Sequence, residues 1–232
     1  MARITIADEN RRIEDVQEIR DFLAPFGIWH EHWEVEGRIG EDVSNEEILT
    51  AYADEINRLK DQGGYVTADV ISVNPETPGL DEMLAKFNKE HTHSEDEVRF
   101  TVSGGGIFHI HPDDGPVFAV QVESGDLINV PAGPKPWFDL CSDQASRCIR
   151  LFLDPSGWAP HYVENSLHVN YTPSAGGQTT WLRTVPPTRI RWSNCECGET
   201  RHSTGHRRHD IVDFIRVRRD VSLCPPRTGF LP

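Results

Sequence analysis

The sequence predicts a mainly β protein, a jelly-roll barrel or sandwich with N-terminal helices packed on it, α+β overall. Three observations point there. From about residue 90 the chain runs in short alternating segments, "VRFTVSG", "GIFHIH", "PVFAVQV", "DLINVP" and "CIRLFL". These are separated by "GGG", "PDDG", "ESG" and "PAGP", the Gly and Pro punctuation of all-β sandwiches and barrels. Ahead of them stand helical patterns, and at 232 residues, 37% of them hydrophobic, the chain is long enough to bury a core.

Taken in order, "ITI" reads as a short strand and "RIEDVQEIRDFLAPFG" as a helix with Val16, Ile19 and Leu23 on one stripe and Gly27 beyond its end. "IWHEHWEV" is strand-like. Ser44 with Glu47 makes a capping box, and Ile48, Tyr52, Ile56 and Leu59 recur at helical spacing until Gly63 and Gly64, so one helix is expected there. "YVTADVISV" is rich in β-branched residues and reads as a strand. In "GLDEMLAKFNKE" Leu80, Met83, Leu84 and Phe87 fall at i, i+3, i+4 and i+7, a helix ending where the β region begins.

Charge divides the chain. Residues 1–171 carry 13 Lys+Arg against 32 Asp+Glu, whereas residues 172–232 carry 10 against 5, every cation an arginine. We therefore expect a domain at 1–171 and an Arg-rich extension at 172–232, disordered or non-native in character. Its "CEC" at 195–197 with His202, His206, His209 and Cys224 offers zinc-ligand types at no recognised spacing. A net charge of -14 argues against nucleic acid and anionic membrane as partners and favours a small molecule. No segment approaches the roughly 20 apolar residues of a membrane span, and five cysteines without a framework fit a reducing compartment, so a cytoplasmic protein with free thiols is expected. Cys141 and Cys148 could alternatively face each other across a turn.

The chemistry concentrates in "NKEHTHSEDEVRF". Strand alternation lets His91, His93, Glu97 and Arg99 share one face while Val98, Phe100 and Val102 take the other. Two imidazoles and a carboxylate are the facial set that holds non-haem Fe(II), although imidazole suits Ni, Cu and Zn as well. An exposed strand with a polar face is the plain alternative.

The spacing H-x-H-x3-E-x6-G from His91 to Gly104, followed by G-x5-P-x-G from Gly125 to Gly133, resembles the two motifs of cupins. More narrowly, "EHTHSEDEVRF", "DLINVPAG", "WFDL" and "IRLF" followed by "GW" resemble the acireductone dioxygenases of methionine salvage, in order, over about residues 1–171. The resemblance implies a cupin jelly-roll barrel binding one Fe(II) or Ni(II) per chain through His91, His93 and Glu97. It further implies that Arg99 helps bring the substrate to its dianion, that Glu90 assists metal incorporation, and that Asp96 relays local conformational change. An acireductone and O2 would be its partners, and the chain would act as a monomer. The iron form would yield 4-methylthio-2-oxobutanoate and formate, and the nickel form 3-methylthiopropanoate, formate and carbon monoxide.

In that family the second motif ends in a fourth ligand, a histidine, where this chain has Pro136 in "PAGPKPWFD". Proline offers no side-chain donor and no backbone N–H. Either three ligands suffice, or the chain is a catalytically impaired metal-binding cupin. His109, His111 and His161 are the imidazoles near enough in sequence to substitute, and Trp137 and Phe138 are expected at the pocket mouth or in the core.

Overall fold

The computed structural model describes residues 1–40, 42–154, 159–164, 167–172 and 182–183. By contacts the chain divides into Met1–Thr188 and Arg189–Pro232. The second unit lies outside the described residues, as does most of the Arg-rich stretch 172–232 with Cys195, Cys197, His202, His206, His209 and Cys224.

The strand on which the fold turns is β6 (Glu97–His111), fifteen residues long, where the Gly-rich run had suggested two strands and a turn. Its first half pairs antiparallel with β8 (Asp126–Val130) and β10 (Ser146–Phe152). Its second half pairs with β7 (Phe118–Glu123) and β9 (Lys135–Leu140). β1 (Arg3–Ile6) and β2 (Arg11–Ile13) extend one layer beyond β7. β3 (Trp29–His32) and β4 (Thr67–Val73) extend the other, beyond β8 and β10. β6 can serve both layers because Gly104 takes φ +70 and a Cβ there would lie 2.2 Å from the Ala145 carbonyl oxygen. Opposite it, the β10 register slips between Arg147 and Cys148, so the glycines make a corner in one strand. The result is the mainly β, curled antiparallel jelly roll expected.

The helices differ from the expectation at their ends. α1 (Val16–Leu23) starts four residues later than the pattern began. Asp15 caps it, accepting from Gln17 N and Glu18 N, while Arg11–Ile13 is drawn into the sheet, Ile13 opposite Ile4. The helix expected after Ser44 is two, α2 (Asn45–Ala51) and α3 (Ala53–Gly63), kinked at Tyr52 with φ -110 and ψ 21. There the Arg38 guanidinium covers the Tyr52 ring at 4.4 Å and donates to the Ala51 carbonyl at 2.7 Å. α4 (Leu80–Leu84) lasts five residues and then unwinds, which lets the Phe87 carbonyl accept from Phe138 N at 2.8 Å and ties it to β9.

Strand alternation builds two large cores beside smaller clusters. Val98, Phe100 and Val102 face outward under α2 and α3, with Ile48, Tyr52, Ile56 and Leu59. Ile4, Ile6, Phe108, Ile110, Phe118 and Val120 form the other with Ile19 and Leu23 of α1. Each such fully buried side chain contributes about 1.5–3 kcal/mol. Cys141 and Cys148 are free thiols. Among the described residues no helix is long and apolar enough to cross a membrane.

Candidate metal centre

As α4 unwinds, the chain enters β5 (His91–Thr92), which pairs with β11 (His161–Tyr162), and after the short loop 93–96 it starts β6 with Glu97. Alternation along β6 sends Glu97 and Arg99 to the face opposite Val98 and Phe100. His91, His93, Glu97 and Arg99 are all buried.

The four meet. His91 Nε2 lies 3.0 Å from His93 Nε2, and His93 Nε2 lies 3.2 Å from Glu97 Oε2. The second carboxylate oxygen of Glu97 receives Arg99 Nη2 at 2.8 Å. His91 Nδ1 donates to the Lys89 carbonyl at 2.5 Å, which places the ring's lone pair on Nε2, toward the other donors. The Arg99 guanidinium is stacked 4.8 Å from the Phe138 ring and 5.5 Å from that of Phe108.

Burial by itself would raise the Glu97 carboxyl, but the Arg99 charge and the His93 contact outweigh it and hold the group down to about 2. Burial also lowers the His91 imidazole, against the opposing pull of the Lys89 carbonyl, so this ring is neutral at pH 7. The site is thus an ionised carboxylate beside neutral imidazole, the protonation states a cation needs. Among the described residues no group of three or more His, Cys, Asp or Glu is arranged as a set that could hold a metal ion.

Glu90, whose sequence context also suited a solvated helix end, is buried. Its carboxylate meets His111 Nδ1 and accepts from Leu167 N at 2.5 Å, while its carbonyl accepts from Val163 N. It therefore fastens the segment after β10 across β5. Asp96 is half-buried and accepts from Ala132 N at 3.3 Å and Tyr65 OH at 3.4 Å. Burial and the Asp96 charge push the Tyr65 phenol up to about 12.

The remaining imidazoles stay apart from the trio. His109 is stacked on Trp137 at 4.8 Å with its Nε2 3.3 Å from Asp139; His111 is taken by Glu90; His161 is exposed on β11. Trp137 is a core residue, packed with Val117 and Tyr171. Its neighbour Phe138 faces the other way and lines a small cavity of about 40 Å³ with Met83, Leu84, Phe87, Arg99, Cys148 and Arg150. Sequence reasoning missed the wall from β10. Ser146, Cys148 and Arg150 alternate with Ile149 and Leu151, and that period of two in "SRCIRLF" was the available clue.

The chain matches the profile of the ARD/ARD' family over residues 5–160. The acireductone dioxygenase of Sulfurihydrogenibium sp. is 40% identical over 174 residues, covering 71% of this chain and 96% of that protein. That of Aquifex aeolicus is 40% identical over 171 residues, covering 72% and 93%. Among solved structures, an acireductone dioxygenase from Bacillus anthracis with a cadmium ion in its active center is similar with a TM-score of 0.66 and 40% identity, covering 70% of this chain and 98% of that one.

Proposed function

The chain belongs to the ARD/ARD' family, and on that basis we propose that it cleaves the acireductone 1,2-dihydroxy-3-keto-5-methylthiopentene with O2 in methionine salvage, using one Fe(II) or Ni(II) per chain held by His91, His93 and Glu97. It is an oxygen-using oxidoreductase, as its relatives are.

The observation that carries the reading is the spacing of His93 from the other two donors. Two ligands at right angles, each about 2.1 Å from an ion, lie about 3.0 Å apart. The 3.0 Å and 3.2 Å separations from His93 to His91 and Glu97 match that value. The Lys89 carbonyl fixes the His91 tautomer for ligation. The relative of known structure carries cadmium in its active center.

Bound there, the ion would supply a Lewis acid that gathers the substrate's enediol oxygens and O2. The protein's own residues set the rest. Arg99, fixed by Glu97 and two phenylalanine rings, favours the ionised enediol over its neutral form. Met83, Leu84, Phe87 and Phe138 exclude water and offer an apolar wall to the methylthio tail. Glu90 assists metal incorporation by holding β5 against His111 and Leu167. Asp96 links Ala132 and Tyr65 to the turn before Glu97, the path by which it relays conformational change. Iron would direct cleavage to 4-methylthio-2-oxobutanoate and formate, nickel to 3-methylthiopropanoate, formate and carbon monoxide. An impaired cupin is the second reading, favoured by Pro136 on the inner side of β9.

The test is anaerobic reconstitution with Fe(II) or Ni(II), then addition of acireductone and O2. Oxygen uptake above the metal-free rate, with carbon monoxide from the nickel form alone, supports the dioxygenase. Tight metal binding without uptake supports the impaired cupin.

A further inference from the structure

We propose that the small cavity shared by Arg99 and Arg150 is a binding site for a flat oxyanion of the carboxylate class, of the size of formate, held between the two guanidiniums. The site rests on the cavity and its arginines, not on the metal assignment.

Strand register puts the two cations side by side. Arg150 of β10 is paired directly with Arg99 of β6 on one side and with Asp69 of β4 on the other. Residues directly opposite on neighbouring strands share a face, and like charges so placed destabilise a sheet. Each cation is held by a carboxylate of its own. Glu97 receives Arg99 Nη2 at 2.8 Å, and Asp69 receives Arg150 Nε and Nη2 at 2.9 Å and 2.6 Å. The charges therefore run Glu97, Arg99, Arg150, Asp69, and it is the two positive members in the middle that line the cavity, with no carboxylate in its wall among the described residues.

The rest of the wall suits a small anion. Ser146 adds a hydroxyl, while Met83, Leu84, Phe87 and Phe138 are apolar, so the two guanidiniums act there with little screening. Their mobility is low as well, since Arg99 lies 4.8 Å from the Phe138 ring and Arg150 lies 5.1 Å from that of Phe152. At about 40 Å³ the space takes roughly three water molecules, the bulk of one carbon and two oxygens. A carboxylate of that size can accept from one guanidinium at each oxygen, and its charge offsets the repulsion between them.

The experiment uses the full metal-free chain at constant ionic strength and follows the nuclear magnetic relaxation of carbon-13 formate as protein is added. Saturable binding is expected, weakened at least about tenfold, about 1.4 kcal/mol, in Arg150→Met that remains folded by circular dichroism. No saturable binding to the wild type, or binding that Arg150→Met leaves intact, overturns the site. If Arg150→Met fails to fold, competition on the wild type decides: nitrate, flat and of similar size, should displace formate, and benzoate, too large for the cavity, should not. Equal displacement by both, or by neither, overturns the site. Because no metal is present, either failure leaves the dioxygenase reading standing.

Discussion

Replacing Arg99 with methionine keeps much of the length of the side chain and removes the guanidinium 2.8 Å from Glu97 Oε1. The two side chains are only 11% and 4% exposed, so Glu97 is left as a buried charge without that cation. Removing one partner of a buried pair costs about 3–5 kcal/mol. At about 2–4 °C per kcal/mol for a domain of this size, the metal-free variant should melt about 6–20 °C lower. Burial is then opposed by less, and the Glu97 carboxyl rises from about 2. A proton must now leave before a metal binds, so the variant's metal affinity should climb with pH more steeply than the wild type's. Thermal unfolding of the metal-free proteins by circular dichroism measures the first effect, and metal titrations between pH 6 and 8 the second. Adding Glu97→Gln to Arg99→Met should restore part of the lost stability, because it removes the stranded charge. A loss below about 1 kcal/mol in the single variant, or a double variant no more stable than the single, would refute the reasoning.

Three further outcomes are expected. Burial holds His91 and His109 below the usual histidine value, so the unfolded chain binds more protons as pH drops below about 6.5; urea midpoints should fall between pH 7.5 and pH 5.5, with a shallower fall in His109→Gln. Gly104→Ala puts a Cβ 2.2 Å from the Ala145 carbonyl oxygen at a φ of +70, and should cost about 1–3 kcal/mol in equilibrium unfolding, whereas a neutral result would contradict the corner assigned to this glycine. Glu90→Ala removes the acceptor of Leu167 N and the partner of His111, and limited proteolysis should then cut within 159–172 faster than in the wild type while the core fragment persists.

The sequence foretold most where a single period governed. Alternation from Glu97 to Val102 separated Glu97 and Arg99 from Val98, Phe100 and Val102, as the two faces of β6 are separated in the fold. It misled where one residue type serves two geometries. Gly104 to Gly106 read as a turn, yet only the carbonyl of Ala145, distant in sequence, makes them a corner within a strand. The kink at Tyr52 depends on Arg38 reaching the Ala51 carbonyl, a contact with no local pattern. Trp137 and Phe138 were indistinguishable as neighbouring aromatics until the β9 register put one on His109 and the other on Arg99. Glu90 looked like a helix end because the helical pattern before it continued; its burial comes from His111 and Leu167, 21 and 77 residues away.

Everything proposed for the oxygen chemistry depends on His91, His93 and Glu97 holding one ion. Metal content by mass spectrometry of the iron-reconstituted, gel-filtered chain, alongside His91→Ala, His93→Ala and Glu97→Gln, tests this without recourse to activity. One iron per wild-type chain is expected, with near-complete loss in each variant and folding retained by circular dichroism. Iron retained equally by all four proteins would contradict the assignment.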